Sequence, residues 1–186
     1  NSEIISKKLI TNVSTYILNF GKAKGKIVED NLNNYINQKL FYNIKSLSLR
    51  NKTIADFIKY NFFFLNGKKY LNYEGLKQTL RKKKFLVLDD LSKSLSNVCH
   101  GDTTIDNLLV KNEREFKIVD PNYNFINSPL IDFAKLKQSL NSGYEFLMNV
   151  NQFNLNKDSL NFNFNKSERY QTLNDHLDII LEKLGK

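Results

Sequence analysis

The chain has 186 residues, the length of one domain, and 41% of them are hydrophobic, which is enough to bury a substantial core. It contains no run of about twenty apolar residues, so the sequence predicts no membrane span. The single cysteine, Cys99, excludes an internal disulfide and fits a reducing compartment such as the cytoplasm. Lys and Arg outnumber Asp and Glu by 28 to 19, a net charge of +9 that calls for comparison with nucleic-acid-binding proteins.

The spacing of apolar residues predicts a mainly helical chain with a small β component. In chain order, the predicted helices cover residues 3–20, 27–47, 54–65 with Thr53 as N-cap, 73–83, 89–95, 130–140, 143–150 and 167–184, with Gly185 as the last stop signal. The three phenylalanines at 62–64 are expected in the core. The other predicted elements are a turn at Asn66-Gly67, a short extended piece at 68–73, a hairpin of strands 108–110 and 116–119, and a loop or short strand at 151–165.

Two segments carry the candidate chemistry. Residues 100–107 read His-Gly-Asp-Thr-Thr-Ile-Asp-Asn, and residues 116–120 form an apolar run that ends in Asp120. They place Asp102, Asn107 and Asp120 in the order and spacing of kinase-fold phosphotransferases. In those enzymes the first Asp accepts the proton of the attacking hydroxyl, and the Asn and the second Asp bind metal. A His-Gly-Asp triplet alone is a weak signal, because Asp is common in turns; the Asn, the hairpin and the second Asp strengthen it.

The residue types suit phosphoryl transfer, in which the protein mainly aligns the hydroxyl and neutralises charge. Magnesium prefers oxygen ligands and keeps several waters, so the amide of Asn107 and the carboxylate of Asp120 can suffice as its protein ligands. Asp102 must stay off the metal to receive the hydroxyl proton. Gly101 allows the tight turn before it, and the hairpin is expected to bring Asn107 and Asp120 to one end.

This stretch resembles the C-terminal lobe of the aminoglycoside phosphotransferase/choline kinase family, whose loop has Gly where protein kinases have Arg. The resemblance spans about residues 98–148 and continues through Asp120-Pro121-Asn122 and Ser128-Pro129-Leu130-Ile131-Asp132. There the chain is similar to phosphotransferase-like proteins of bacterial capsule and surface-sugar gene clusters. The resemblance implies ATP as phosphoryl donor, Mg²⁺ or Mn²⁺ at Asn107 and Asp120, and a small hydroxylated acceptor. It also implies that His100 and Asp132 brace the catalytic loop, Asp132 by hydrogen bonds.

The chain departs from the related patterns at two positions. Thr104 stands where protein kinases keep Lys and many aminoglycoside kinases His or Ser, so no basic residue of this loop steadies the transferred phosphate. Pro121 replaces the usual Phe after the metal-binding Asp, so a protein-kinase-like flip of that segment is not expected.

Nothing before residue 100 resembles the β-rich nucleotide-binding lobe of a kinase. The Gly/Lys-rich stretch 21–26 lacks the Gly-Lys-Ser/Thr ending of a phosphate loop and is interpreted as a turn between helices. We therefore expect residues 1–186 to be a single domain, the helical lobe of a larger phosphotransferase whose N-terminal lobe is absent. That lobe, the nucleotide and the acceptor are its expected partners, and the 186-residue chain alone is expected to be inactive.

Two alternatives remain open at this stage. The net charge and the run Arg81-Lys82-Lys83-Lys84 could serve nucleic-acid binding, but the lysines are scattered and no nucleic-acid-binding motif accompanies them. A non-catalytic kinase-like scaffold would need none of Asp102, Asn107 and Asp120. The same positive charge favours an anionic or neutral acceptor over a cationic aminoglycoside.

Overall fold

The computed structural model describes residues 2–24, 29–122, 126–147, 150, 152–164 and 166–185. The chain is mixed α+β, with about 59% helix and 14% strand, so the expectation of a mainly helical chain with a small β component is confirmed. The helices are α1 (Ser2–Leu18), α2 (Glu29–Ile36), α3 (Tyr42–Arg50), α4 (Lys52–Phe57), α5 (Tyr73–Lys93), α6 (Pro129–Lys137), α7 (Tyr144–Leu147) and α8 (Glu168–Lys183). The strands are β1 (Phe62–Leu65), β2 (Lys68–Leu71), β3 (Leu108–Val110), β4 (Phe116–Ile118), β5 (Phe153–Asn156) and β6 (Ser159–Phe162).

Contacts divide the chain into two compact units, each assembled from separate stretches. The first unit is Asn1–Lys26, Lys93–Met148 and Asn165–Lys186; the second is Ile27–Ser92 and Asn149–Phe164. The expectation of one domain over residues 1–186 stays a prediction, because compactness does not measure whether the units fold independently. None of the helices described has the length and apolar content that crossing a membrane requires.

The first unit is built around α1, α6 and α8. Its core consists of apolar side chains from these helices and from the π-helical turn Gln138–Ser142: Ile10, Val13, Ile17, Phe133, Leu136, Leu140, Leu173 and Leu177. On α1 the buried positions recur every three or four residues, which is the helical period the sequence shows. Side chains of the β3–β4 hairpin pack against the same cluster, so the hairpin is anchored to the helices.

The hairpin is the predicted one. Leu108 pairs with Ile118 and Val110 with Phe116 in antiparallel register. The polar turn between the strands is closed by a hydrogen bond from the Lys111 N–H to the Glu115 carbonyl. Helix α8 is also confirmed, since Ser167 caps it by accepting a hydrogen bond from the Arg169 N–H.

The second unit contains a four-stranded sheet that the sequence analysis did not predict. Its order is β2-β1-β6-β5, with β1 and β6 parallel and the other neighbours antiparallel. The turn at Asn66-Gly67 is present, with both residues at positive φ, and the extended piece after it is β2. The second reading of residues 151–165, a short strand, is closer to the structure than the loop, since β5 and β6 form a hairpin there.

Several helix predictions are wrong in detail. The helix predicted at 54–65 ends at Phe57, because the phenylalanines that follow favour a strand and pair with β2. Its cap is Asn51, whose side chain accepts from the Ile54 N–H, and not Thr53. Phe62 and Phe64 are exposed at 44% and 37%, so they are not in the core.

The remaining helix boundaries differ less. The two helices predicted at 73–83 and 89–95 are the single helix α5, because no Gly or Pro lies between residues 76 and 95 to separate them. The helix predicted at 27–47 is α2 and α3 joined by a π-helical turn, Asn37–Phe41. After α1, Gly21 has φ 78° and Lys22 forms an isolated β-bridge with Ser96. Residues 25–28, 148–149, 151 and 165 of the predicted elements lie outside the described residues.

Candidate active site

The loop 100–107 is held by hydrogen bonds to the first turn of α6. Asp132 is completely buried, and its carboxylate accepts hydrogen bonds from the backbone N–H groups of His100 at 2.9 Å and Gly101 at 2.7 Å. The Thr103 hydroxyl donates to the Asp132 backbone carbonyl at 2.5 Å. The hydrogen bonds that the resemblance implies for Asp132 are therefore present, and they fix the backbone on both sides of the turn at Gly101, whose φ is 76°.

The start of α6 is set by local sequence. Ser128 caps the helix by accepting a hydrogen bond from the Leu130 N–H, and Pro129 occupies the first helical position, where its missing N–H costs nothing. Ser128 is itself fully buried, with its hydroxyl 2.9 Å from that of Ser94. Asp132 is placed under the loop because the helix begins where it does.

Burial of these groups shifts their protonation. Burial raises the pKa of the Asp132 carboxyl, and the N–H groups of His100 and Gly101 partly oppose that shift. Burial, with a smaller contribution from the charge of Asp132, also raises the pKa of the Cys99 thiol to about 11. Cys99 is only 2% exposed, so its thiol is buried.

The structure brings Asp102 and Asn107 into contact. The amide nitrogen of Asn107 donates to the Asp102 backbone carbonyl at 2.8 Å and lies 3.3 Å from the carboxylate oxygen Oδ2. The other carboxylate oxygen, Oδ1, forms an ion pair with Lys135 Nζ at 2.9 Å. Asp102 is thus held at both oxygens and remains partly open to solvent, with 28% of its side chain exposed.

Asp120 follows directly from the hairpin that Asn107 opens. The Val119 N–H donates to the Asn107 carbonyl at 2.9 Å, so Asp120 is one residue beyond a backbone contact with Asn107. Asp120 is exposed and has φ 56°, a left-handed conformation that is uncommon outside glycine and is enriched at functional sites. The next hydrogen bond, from the Asn122 N–H to the His100 carbonyl at 2.8 Å, ties this segment to the loop.

His100 contributes through its backbone. Its N–H donates to Asp132 and its carbonyl accepts from Asn122, so it links the two segments. His100 is 8% exposed, and neither nitrogen of its ring has a hydrogen-bond partner among the described residues. The contacts with Asp132 and Asn122 involve the main chain of His100 alone, so the bracing role expected for His100 stays a prediction.

Lys135 is the site residue that the sequence analysis missed. It lies on α6 three residues after Asp132, a separation that puts two side chains on the same side of a helix. That spacing was the available signal, because it places Lys135 on the face of α6 that carries Asp132. Thr104, which stands where protein kinases keep a lysine, is buried at 3% exposure.

The predicted metal ligands offer one amide and one carboxylate oxygen. Because Nδ2 of Asn107 is engaged with Asp102, Oδ1 is the atom of that amide left to face a cation. Two oxygen donors beside open solvent fit magnesium, which takes the rest of its shell from water and phosphates. Within the described ranges no cluster of three or more His, Cys, Asp or Glu could hold a metal. Comparison of the chain with protein-family models, with curated proteins and with solved structures gave no match.

Proposed function

We propose that the chain is the catalytic, helical C-lobe of a kinase-like, ATP-dependent phosphotransferase that transfers the γ-phosphate to a hydroxyl of a small molecule or sugar. The observation that carries the proposal is the loop 100–107, whose backbone is fixed by the buried Asp132 while Asp102 and Asn107 point their polar atoms at one another. Asp and Asn residues that only form a turn do not require a buried carboxylate to fix the backbone of that turn. A catalytic base does require a fixed backbone, because catalysis depends on holding the base within hydrogen-bond reach of the acceptor.

In the proposed reaction Asp102 accepts the proton of the acceptor hydroxyl. The hydroxyl oxygen forms a bond to the γ-phosphorus, the bond from that phosphorus to the β–γ bridging oxygen breaks, and ADP leaves. The partly exposed Asp102 carboxylate can be reached by an acceptor from solvent. Asn107 orients it through the contact at Oδ2.

Asn107 and Asp120 are the residues that would hold Mg²⁺ or Mn²⁺. A bound divalent ion would neutralise charge on the β- and γ-phosphates. The hydrogen bond between Val119 and Asn107 keeps the two ligands on the same end of the hairpin. We assign the acceptor to neutral or anionic hydroxyl compounds, sugars of surface polysaccharides among them, because a chain of net charge +9 repels cationic ones.

The test compares Asp102→Asn with Asp106→Asn in the full-length protein. Asp106 lies in the same loop and is exposed, so it is a matched control. Hydrolysis of γ-labelled ATP, and transfer to a panel of free sugars and sugar alcohols, are expected to fall by about 10²- to 10⁴-fold in Asp102→Asn. Binding of a fluorescent ATP analogue with magnesium should barely change, because Asp102 is not a proposed metal ligand. Near-normal turnover in Asp102→Asn would reject the assignment.

A non-catalytic kinase-like scaffold is the second candidate. The ion pair between Lys135 and Asp102 favours it, since a carboxylate that already has a cationic partner can be purely structural. A scaffold predicts that the full-length wild-type protein neither hydrolyses nor transfers phosphate from ATP.

A further inference from the structure

We propose that Lys135 is a catalytic residue, the cation that contacts the phosphoryl group during its transfer to the acceptor. This inference rests on the proposed function. It concerns a side chain supplied by helix α6, which lies outside the loop and hairpin that carry the other proposed catalytic groups.

The position of Lys135 is the first argument. Its ammonium group is 2.9 Å from Oδ1 of Asp102, the base that must lie beside both the acceptor hydroxyl and the γ-phosphate. Both side chains are about a quarter exposed, at 24% for Lys135 and 28% for Asp102. The pair is therefore sheltered enough for its charges to matter and open enough for a substrate to reach it.

The neighbouring lysine on the same helix shows that this placement is specific. Lys137 contacts Asn174 at 2.9 Å and forms an ion pair with Asp178, both on α8. The two lysines of α6 thus have separate partners, and Lys135 is the one directed to the catalytic loop. Because Thr104 is buried and uncharged, position 104 of that loop offers no competing cation.

The chemistry of the step gives Lys135 a changing partner. Before transfer, its charge is balanced by the Asp102 carboxylate. When Asp102 takes the hydroxyl proton, that negative charge disappears and the ammonium group loses its partner. The phosphoryl oxygens carry the negative charge of the reacting group throughout, and a preorganised cation beside them stabilises the transition state. Lys135 can turn from one to the other by rotating its flexible side chain.

The experiment uses Lys135→Met and Lys135→Arg in the full-length protein, with Lys137→Met as the matched control. We expect Lys135→Met to lower kcat by about 10²- to 10³-fold, the range for losing one such electrostatic contact, with KM for ATP changed by less than about threefold. Lys135→Arg should recover about tenfold of that loss, since it keeps the charge but not the shape. Lys137→Met should stay within about twofold of wild type in kcat.

A second readout separates phosphoryl contact from positioning of Asp102. Magnesium–ADP plus aluminium fluoride imitates the transferring group, and a protein that stabilises the transition state binds it more tightly than magnesium–ADP alone. Lys135→Met should lose that tightening while binding magnesium–ADP normally. If the Met variant fails to fold by circular dichroism, Lys135→Gln, which keeps a polar head, takes its place.

The outcomes distinguish this inference from the proposed function. A Lys135→Met protein as active as Lys137→Met overturns the inference and leaves the phosphotransferase proposal standing. A Lys135→Met protein that is slow but still binds the aluminium fluoride complex tightly also overturns it, because Lys135 then only positions Asp102. A wild-type protein without turnover or binding of magnesium–ATP refutes the proposed function, and the inference with it.

Discussion

Replacement of Asp132 tests whether a single buried carboxylate holds the loop 100–107. In Asp132→Ala the backbone N–H groups of His100 and Gly101 lose their acceptor, and each buried, unsatisfied donor costs about 1–3 kcal/mol. Relief from burying a charge acts in the opposite direction, so we expect a net loss near the lower end of the sum, about 2–4 kcal/mol. At about 2–4 °C per kcal/mol for a chain of this length, Tm should fall by roughly 4–16 °C.

Asp132→Asn should be milder. It keeps one carbonyl oxygen for one of the two N–H groups, so about 1–2 kcal/mol is expected. Asp56→Ala is the control, because Asp56 forms only an exposed ion pair with Lys59 and its loss should leave Tm unchanged within error. Tm is measured by circular dichroism, and hydrogen exchange should show faster exchange at the amides of His100 and Gly101. An Asp132→Ala protein as stable as Asp56→Ala would refute the reasoning.

The remaining predictions concern pH, metal and thiol chemistry. Because the pKa of Asp132 is raised above its ordinary 3.8, the folded chain binds more protons than the unfolded chain just above that pH. Stability from this group therefore falls as pH rises through the folded pKa, and the destabilisation by Asp132→Asn, measured by urea unfolding, should be larger in acid than at pH 7. Asn107→Ala and Asp120→Ala should each weaken ATP-dependent Mn²⁺ binding, detected by electron paramagnetic resonance, and unchanged binding would contradict the metal assignment. Cys99, with its pKa about 11, should react with iodoacetamide about 100-fold more slowly in the folded chain than in urea at pH 8, and equal rates would contradict its burial.

Local signals in the sequence predicted the parts of the fold that surround the site. The Ser128-Pro129 pair marks the start of α6, and the alternation around a polar turn marks the β3–β4 hairpin. These elements depend on residues close in sequence, so their capping and turn preferences are sufficient. The contact between Asn107 and Asp102 also joins residues close in sequence, five apart, but it was not among the predictions.

The four-stranded sheet of the second unit could not be predicted from such local signals. Its central pairing joins Phe64 to Ser159 in parallel, and these residues are 95 positions apart in the sequence. A strand of four residues has too few positions for its period to stand out, and phenylalanines fit a helix core as well as a sheet. The partner strand decides whether such a segment forms a helix or a strand, and no local pattern identifies that partner.

Lys135 was not predicted because its contact with Asp102 depends on the position of helix α6 and not on the loop motif. Asp132 and Lys135 lie one helical turn apart, so the same face of α6 supplies the acceptor for the loop backbone and the cation for the Asp102 side chain. A rotation of α6 would therefore disturb both contacts together. This coupling makes the start of the helix at Ser128 a determinant of the geometry of the site. Loss of the Ser128 cap should therefore loosen both the backbone of His100 and the carboxylate of Asp102.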